Sequence, residues 1–438
     1  MKNQERAKFK SFRSGRASRF AHLGQGLLNA GKEYAKVRFS GDLERKMGQV
    51  RSAAEIVRKM AELKGGVMKI GQILSITDDL VLPPEVSAVF KSLQKDAPSM
   101  SIDDINHVFK ESFNRLPLQV FKEFNYTPMA AASIGQVHKA TLHNGQRVVV
   151  KVQYPQIDQA ILNDFKNIDL LDQIFGLIFK SKPDLEKIIG EVKASLELEC
   201  DYHHELERGV FASKVFEKDE RVRIPKFYQE FSAKKILTME YLQGDTFEQT
   251  KHYSQEQRDF LGQTLFDSFM YGLFNHHFVH ADPQNGNYLF TPNQIILLDF
   301  GATKIFDSEF IYDHDLLLQS LEKNNFELYE QQMVHFGFFN SSERELMKRH
   351  FEMIKELYYP YTLEGQRPVE DINPFEQAID FLKNIKIRGT RSPHPDFFYL
   401  DRGLLGLYTK IRGWNAKIDW VSSRNSLRSE FAQKRYGA

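Results

Sequence analysis

At 438 residues, with 42% apolar and 27% charged side chains, the chain is long enough for two domains or a two-lobed enzyme with an extension. A formal net charge of +1 argues against a dedicated nucleic-acid binder. Its single cysteine, Cys200, rules out an internal disulfide and fits a reducing compartment.

Residues 1–48 form a basic arm carrying Lys2, Arg6, Lys8, Lys10, Arg13, Arg16 and Arg19. No apolar core follows the first lysines, so the arm is no secretory signal, although its acid-poor start also suits a mitochondrial presequence. Phe20, Leu23, Leu27, Leu28 and Ala35 could line an interfacial helix against an anionic membrane surface; a plain basic arm reads equally well. Residues 49–116 read as a helical extension broken by Pro83-Pro84 and Pro98. Within it Leu63 to Leu74 is read as helical, which puts Lys69 and Gln72 on one face.

Residues 117–242 read as a small lobe. Val137 to Thr141 is a strand, His143-Asn144-Gly145 a turn, and Val148 to Val152 a returning apolar strand interrupted only by Lys151. A lysine there is either paired, since lysine is rarely buried alone, or an edge residue reaching solvent. Ahead of the hairpin stand Ala130, Ala131, Ala132, Ser133 and Gly135, in the place of a phosphate-covering loop. Alanine narrows the backbone freedom that glycine would give, and only Gly135 keeps it. Ile188 to Val210 has helical periodicity, with Asp201 and Glu205 on one face and Glu199 off it; Glu205 is the expected partner of Lys151. A further helix is expected near 161–180. Thr238 to Leu242 follows an apolar strand and reads as a hinge, where Glu240 and Leu242 could offer backbone groups to adenine.

Residues 243–438 read as a mainly helical large lobe. Its Phe278 to Gly301 stretch holds Asp282, then Asn287 five positions later, then Asp299-Phe300-Gly301. That order is the protein-kinase pattern of catalytic Asp, metal-holding Asn and D-F-G turn. Tyr288 to Phe290 and Ile295 to Leu298 read as a hairpin with Asn287 at one end and Asp299 at the other. Two such oxygen donors suit Mg²⁺, which takes few protein ligands, and Asp282 would accept or steer a proton. His276 and His280 are four apart on what reads as one helix, a rival metal idea without an evident third ligand. No run approaches the roughly 18 apolar residues of a membrane span, and Lys410, Arg412, Lys417 and Asp419 interrupt the last helices.

These motifs together resemble the UbiB family of atypical kinase-like proteins, also called aarF-domain-containing kinases. Met68 to Gln72 is similar to its K-x-G-Q signature, Ala130 to Val137 to its alanine-rich loop, and Val150 to Gln153 to its strand lysine. Glu199, Asp201 and Glu205 resemble its E-x-D motif and helix glutamate, and His280 to Asn287 with Asp299 completes the set. One departure is Gln284-Asn285, where the family usually has His-Pro. The resemblance implies an α+β, bilobal protein-kinase-like fold with an N-terminal helical extension that folds over the nucleotide site. Lys69, Gln72, Glu199 and Asp201 would then be occluding or regulatory residues. It further implies ATP or ADP with Mg²⁺, and a role as kinase or ATPase in isoprenoid quinone synthesis or lipid handling, with membrane and isoprenoid-lipid enzymes as partners. The compartment expected is cytoplasmic, peripheral at an inner membrane, with the mitochondrial matrix second. The alternatives are a conventional protein kinase and a low-turnover nucleotide-gated scaffold; oligomeric state is not legible.

Overall fold

The computed structural model describes residues 100–132, 134–158, 197–282, 284–369 and 394–436. The basic arm, the helix carrying Lys69 and Gln72, Ser133, and the helix expected near 161–180 lie outside the described residues. The chain divides into two compact units, Met1–His203 with Tyr228–Glu240, and His204–Phe227 with Tyr241–Ala438.

The chain-order elements begin with helices α1 (Ile102–Phe113) and α2 (Pro117–Val120) and strands β1 (Glu123–Phe124), β2 (Ala130–Ala131), β3 (Gly135–Thr141) and β4 (Arg147–Gln153). Next come helix α3 (Tyr202–Val215), strands β5 (Val222–Arg223) and β6 (Ile236–Glu240), helix α4 (Gln255–His276), and strands β7 (Phe278–His280), β8 (Tyr288–Thr291), β9 (Gln294–Leu297) and β10 (Thr303–Ile305). Helices α5 (Ser308–Glu322), α6 (Phe326–His335) and α7 (Arg344–Tyr358), strand β11 (Gln366–Arg367), helix α8 (Asp396–Gly413), strand β12 (Ile418–Asp419) and helix α9 (Ser422–Tyr436) follow.

In the first unit the sheet runs β1-β3-β4-β6, with β2 also paired to β3, and every pairing is antiparallel. Strand β4 lies between β3 and β6, and its residues from Val148 to Gln153 are all buried. That burial is why its apolar run is continuous rather than alternating. Helix α1 starts on a reciprocal cap, Ser101 Oγ accepting from the Asp104 N–H and the Asp104 carboxylate from the Ser101 N–H, each at 3.1 Å. It buries Ile105, Val108 and Phe109, spaced by three and one along its inner face. Gly135 is set by packing: a Cβ there would stand 2.2 Å from the Val152 carbonyl oxygen of the neighbouring strand.

In the second unit helix α4 opens on a Ser254/Gln257 capping box and ends at His277, whose left-handed φ of 55° turns the chain back into β7. Gly272 makes that return possible, since a Cβ would lie 2.7 Å from the Phe278 carbonyl oxygen. Strand β7 pairs with β10, and β8 with β9, which also takes β5 in parallel. The core beneath them is aromatic: Phe290 meets Trp414 edge-on at 5.1 Å, and Phe266 meets Trp420 at 5.1 Å. Both indoles are satisfied, Trp414 Nε1 donating to Thr250 Oγ1 at 2.6 Å and Trp420 Nε1 to the Arg367 carbonyl at 3.2 Å. Helix α9 is tied to α5 by Arg424 and Arg428, which share the Glu322 carboxylate at 3.2 and 2.8 Å, while Arg428 also engages Asp315.

Two expectations are corrected. The helix read from 188 to 210 breaks at Cys200–Asp201: α3 begins at Tyr202, and Asp201 lies before it, its carboxylate accepting from the His203 N–H at 3.0 Å. Aspartate prefers such a capping bond to a helix interior, so Asp201 and Glu205 do not share a helical face. His276 and His280 are likewise not on one helix, since His277 ends α4 and His280 belongs to β7. Among the described residues no cluster of three or more His, Cys, Asp or Glu side chains could hold a metal ion.

Gly135→Ala is expected to destabilise the protein by about 1–3 kcal/mol through overpacking against β4, measured by denaturant unfolding without nucleotide. A pH dependence follows from His350, which is buried, receives the Tyr329 hydroxyl at 2.6 Å and is pushed down by burial to about 4. A folded pKa below the unfolded value means that protonation favours unfolding. The contribution is intact above pH ~6.5 and is lost as pH falls through ~4, at up to about 1.4 kcal/mol per pH unit. Melting measured across that window should show a shallower acid decline in His350→Gln than in the wild type; equal slopes would exclude His350 as a cause.

Candidate active site

In the first unit Lys151 sits at the middle of the sheet, opposite Val137 on β3 and Leu237 on β6, and is only 5% exposed. It is therefore not an edge lysine reaching solvent. The alanine segment forms a tight hairpin: Ala130 and Ala131 pair with Val137 and Gln136, and the Ala132 N–H donates to the Gly135 carbonyl at 3.0 Å. Ala130 and Ala131 are exposed on this hairpin. Glu199 is buried in this unit, and the adjoining Cys200 thiol is pushed up to about 12 by burial, which keeps it neutral. At the end of β6, Glu240, Tyr241 and Leu242 are half-buried.

The second unit collects Glu205, Asp282, Asn287 and Asp299. Two short ladders place them. The β7–β10 pair runs from Phe278↔Ile305 to His280↔Thr303, and the Ala281 N–H then donates to the Ala302 carbonyl at 2.9 Å. This brings the entry to the catalytic loop beside the residues that leave the D-F-G turn. In the β8–β9 hairpin the register Tyr288↔Leu297 is extended by the Leu298 N–H donating to the Asn287 carbonyl at 2.9 Å. Asn287 is thereby fixed opposite the residue that precedes Asp299, as the sequence spacing predicts.

The polar groups are oriented by local bonds. An Asp282 carboxylate oxygen accepts from the Gln284 N–H at 3.2 Å, and an Asp299 oxygen accepts from the Gly301 N–H at 3.0 Å. The Glu205 carboxylate accepts from the Phe300 N–H at 3.4 Å, so the glutamate of α3 addresses the D-F-G backbone directly. His280 is half-buried, and desolvation drives it below its ordinary value toward the neutral form. A carbonyl can only accept, so Nε2 carries the proton and donates to the Asp299 carbonyl. Nδ1 is then free to accept from the Tyr288 hydroxyl at 3.3 Å. Phe300 closes the cluster, edge-on to His280 at 5.7 Å and to Phe227 at 5.9 Å.

The donor set fits Mg²⁺. Asn287 and Asp299 offer oxygens of the kind a hard cation takes. The buried Asn287 Nδ2 has no hydrogen-bond partner among the described residues, and the ligand atom that this amide would offer is its Oδ1. One residue escaped the sequence reading. Lys410, on α8, is only 1% exposed, and its Nζ stands 4.1 Å from the centre of the Tyr288 ring. In the sequence it registers only as a charge that breaks up an apolar run. A lysine at an inward helical position was the available signal.

Residues 92–335 match the ABC1 atypical kinase-like domain. The chain is 31% identical over 381 residues to "Atypical kinase COQ8, mitochondrial" of Schizosaccharomyces pombe, an alignment covering 84% of this chain and 61% of that protein. To the COQ8 protein of Saccharomyces cerevisiae it is 30% identical, over 70% of this chain and 62% of that protein. It thus spans about three fifths of the length of these relatives. "AarF domain-containing protein kinase 1" of Xenopus laevis is 28% identical, over 87% of this chain and 79% of that protein. Among solved structures, the complex of Rv3197 with erythromycin from Mycobacterium tuberculosis has a TM-score of 0.56 at 22% identity, covering 90% of this chain and 98% of that one, a likeness of fold alone. The domain match covers more than half of the chain and takes in both Lys151 and the D-F-G turn, so the chain belongs to the ABC1 (UbiB, aarF-domain-containing) family of atypical kinase-like proteins, with an α+β kinase-like fold.

Proposed function

We propose that the chain is an ATP-binding, Mg²⁺-dependent atypical kinase or ATPase of the UbiB type, acting in or in support of isoprenoid quinone biosynthesis. The observation that carries this reading is the convergence of Asp282, Asn287 and Asp299 on two adjoining ladders, with Glu205 bonded to the turn between them. The membership of the family, whose relatives are named atypical kinases, supports it.

In this reading Asp282 orients the attacking group and accepts or steers its proton. Asn287 and Asp299 would hold Mg²⁺, which when bound neutralises charge on the phosphates. Lys151 and Glu205 would position those phosphates as a pair. The segment from Ala130 to Gly135, with Ala131, Ala132 and Ser133, would cover them, and Glu240 and Leu242 would present backbone groups to adenine. Lys69 and Gln72, with Glu199 and Asp201, would restrict access and so exclude a protein substrate. The acceptor is then a small lipid-related molecule or water. The mitochondrial names of the COQ8 relatives support the mitochondrial setting that stands second among the expected compartments. Among the described residues no helix is long and apolar enough to cross a membrane, and membrane contact would fall to the basic arm.

Nucleotide turnover by the purified protein, with and without Mg²⁺, anionic liposomes and phenolic quinone precursors, tests the reading. Asp282→Asn should lower kcat by about 10²–10⁴-fold while nucleotide still binds, the range typical of losing a positioned proton acceptor. Asp299→Asn should abolish the Mg²⁺ dependence of nucleotide binding itself. Turnover unchanged in both variants would remove the assignment, and stimulation by liposomes or phenols would identify the acceptor side.

A further inference from the structure

Tyr288 opens β8 directly after Asn287, at a position where burial alone asks only for an apolar side chain. A buried hydroxyl is costly unless it is bonded, so a tyrosine in that place needs a partner. The partner is His280: the hydroxyl donates to Nδ1 at 3.3 Å, and the two rings meet edge-on with centroids 5.5 Å apart.

The tyrosine ring is itself held. It lies parallel to the ring of Phe290, two positions on along β8, at an interplanar angle of 5°. Over its face stands the ammonium of Lys410, 4.1 Å from the ring centre. Lys410 reaches it because α8 packs closely on α4 and β7. A Cβ at Gly403, seven positions earlier on the same helical face, would stand 2.8 Å from both the Phe269 ring and a Val279 methyl. A ring so confined has one direction in which to aim its hydroxyl. His280 Nε2 in turn donates to the Asp299 carbonyl. Tyr288 is therefore joined to both expected metal ligands, to Asn287 by a peptide bond and to Asp299 through one imidazole.

We propose that Tyr288 is a positioning residue of the metal site: its hydroxyl keeps the His280 ring turned so that Nε2 meets the Asp299 carbonyl, and thereby holds the D-F-G aspartate in register with Asn287. This rests on the phosphoryl-transfer reading above for its effect on Mg²⁺, while the coupling of Tyr288 to His280 is measurable without it. Phenylalanine would keep the ring, its stacking and its contact with Lys410, so the role resides in one oxygen atom.

The test uses the full chain with Tyr288→Phe, His280→Gln and the double variant. Glutamine carries its amide nitrogen where histidine carries Nε2, so it can still donate to Asp299, but it has nothing in place of Nδ1. Mg²⁺ titration of nucleotide binding is the first readout. Tyr288→Phe should raise the half-saturating Mg²⁺ concentration by roughly threefold to tenfold, the range that one neutral hydrogen bond supplies, with nucleotide affinity in the absence of Mg²⁺ changed less than about twofold. A hydroxyl with a structural role alone would lower the melting temperature and leave the Mg²⁺ requirement where it was. In the His280→Gln background the same substitution should change that requirement less than about twofold. Thermal melting of the four proteins is the second readout, and non-additive shifts are expected. An unchanged Mg²⁺ requirement in Tyr288→Phe, the full effect persisting in the His280→Gln background, or strictly additive melting shifts overturns the proposal. If the wild type binds nucleotide without regard to Mg²⁺, the reading of function falls. The melting cycle then decides the coupling alone, with non-additive shifts supporting it and additive shifts ending it.

Discussion

His280 is an imidazole at the boundary between an apolar core and a cluster of carboxylates, and desolvation there favours its neutral form. With Nε2 protonated and Nδ1 bare, it donates to the Asp299 carbonyl and accepts from Tyr288. A doubly protonated ring would require the Tyr288 hydroxyl to turn from donor to acceptor. It would also add a positive charge close to Lys410, whose own charge already lowers the histidine. The neutral ring thus allows a buried ammonium to approach the Tyr288 face. From Asp299 to Lys410 the contacts form one chain through His280 and Tyr288, and each link fixes the donor or acceptor role of the next.

That chain can be rigid because its backbone is held from two sides. The β7–β10 ladder fixes the entry to the catalytic loop, and the β8–β9 hairpin fixes Asn287 next to the residue before Asp299. Below both lies an aromatic layer of Phe247, Phe290 and Trp414, with ring centroids 5.1 to 6.4 Å apart. Packed aromatic rings have few alternative arrangements, so short ladders above them do not need length to keep their register. Strands of three and four residues suffice here for that reason.

The parts of this site that were legible in the sequence are those governed by local spacing. Asp282, Asn287 and Asp299 lie within one hairpin and its flanks, so a count of positions and a turn signal at Thr291-Pro292-Asn293 placed them. The strand around Lys151 was legible because a short apolar run after turn residues suits a buried strand, and one lysine inside such a run stands out. The helix before Glu205 was misread because its periodicity runs through Cys200–Asp201, while a bond from the His203 N–H to Asp201 stops it there. Side-chain capping competes with helical periodicity, and periodicity alone does not show which wins. Lys410 was missed for a different reason. Its contact with Tyr288 spans most of the second unit's chain length, and no local pattern encodes it.

Gly135 shows how a residue singled out by its place in a loop can carry a packing constraint that the sequence does not display. In the alanine loop it is the one glycine, and the sequence suggests that it frees the backbone to approach phosphate. The structure gives it a prior obligation, because the Val152 carbonyl occupies the space of its missing side chain. Any residue other than glycine would push β3 from β4, and β4 carries Lys151. The loop therefore contains no residue type that phosphate binding alone would require. Ala130 and Ala131 stand exposed on this hairpin, and their ladder partners fix their direction. A segment so paired has its course set by the sheet, whereas a glycine-rich loop would keep the freedom to change its own.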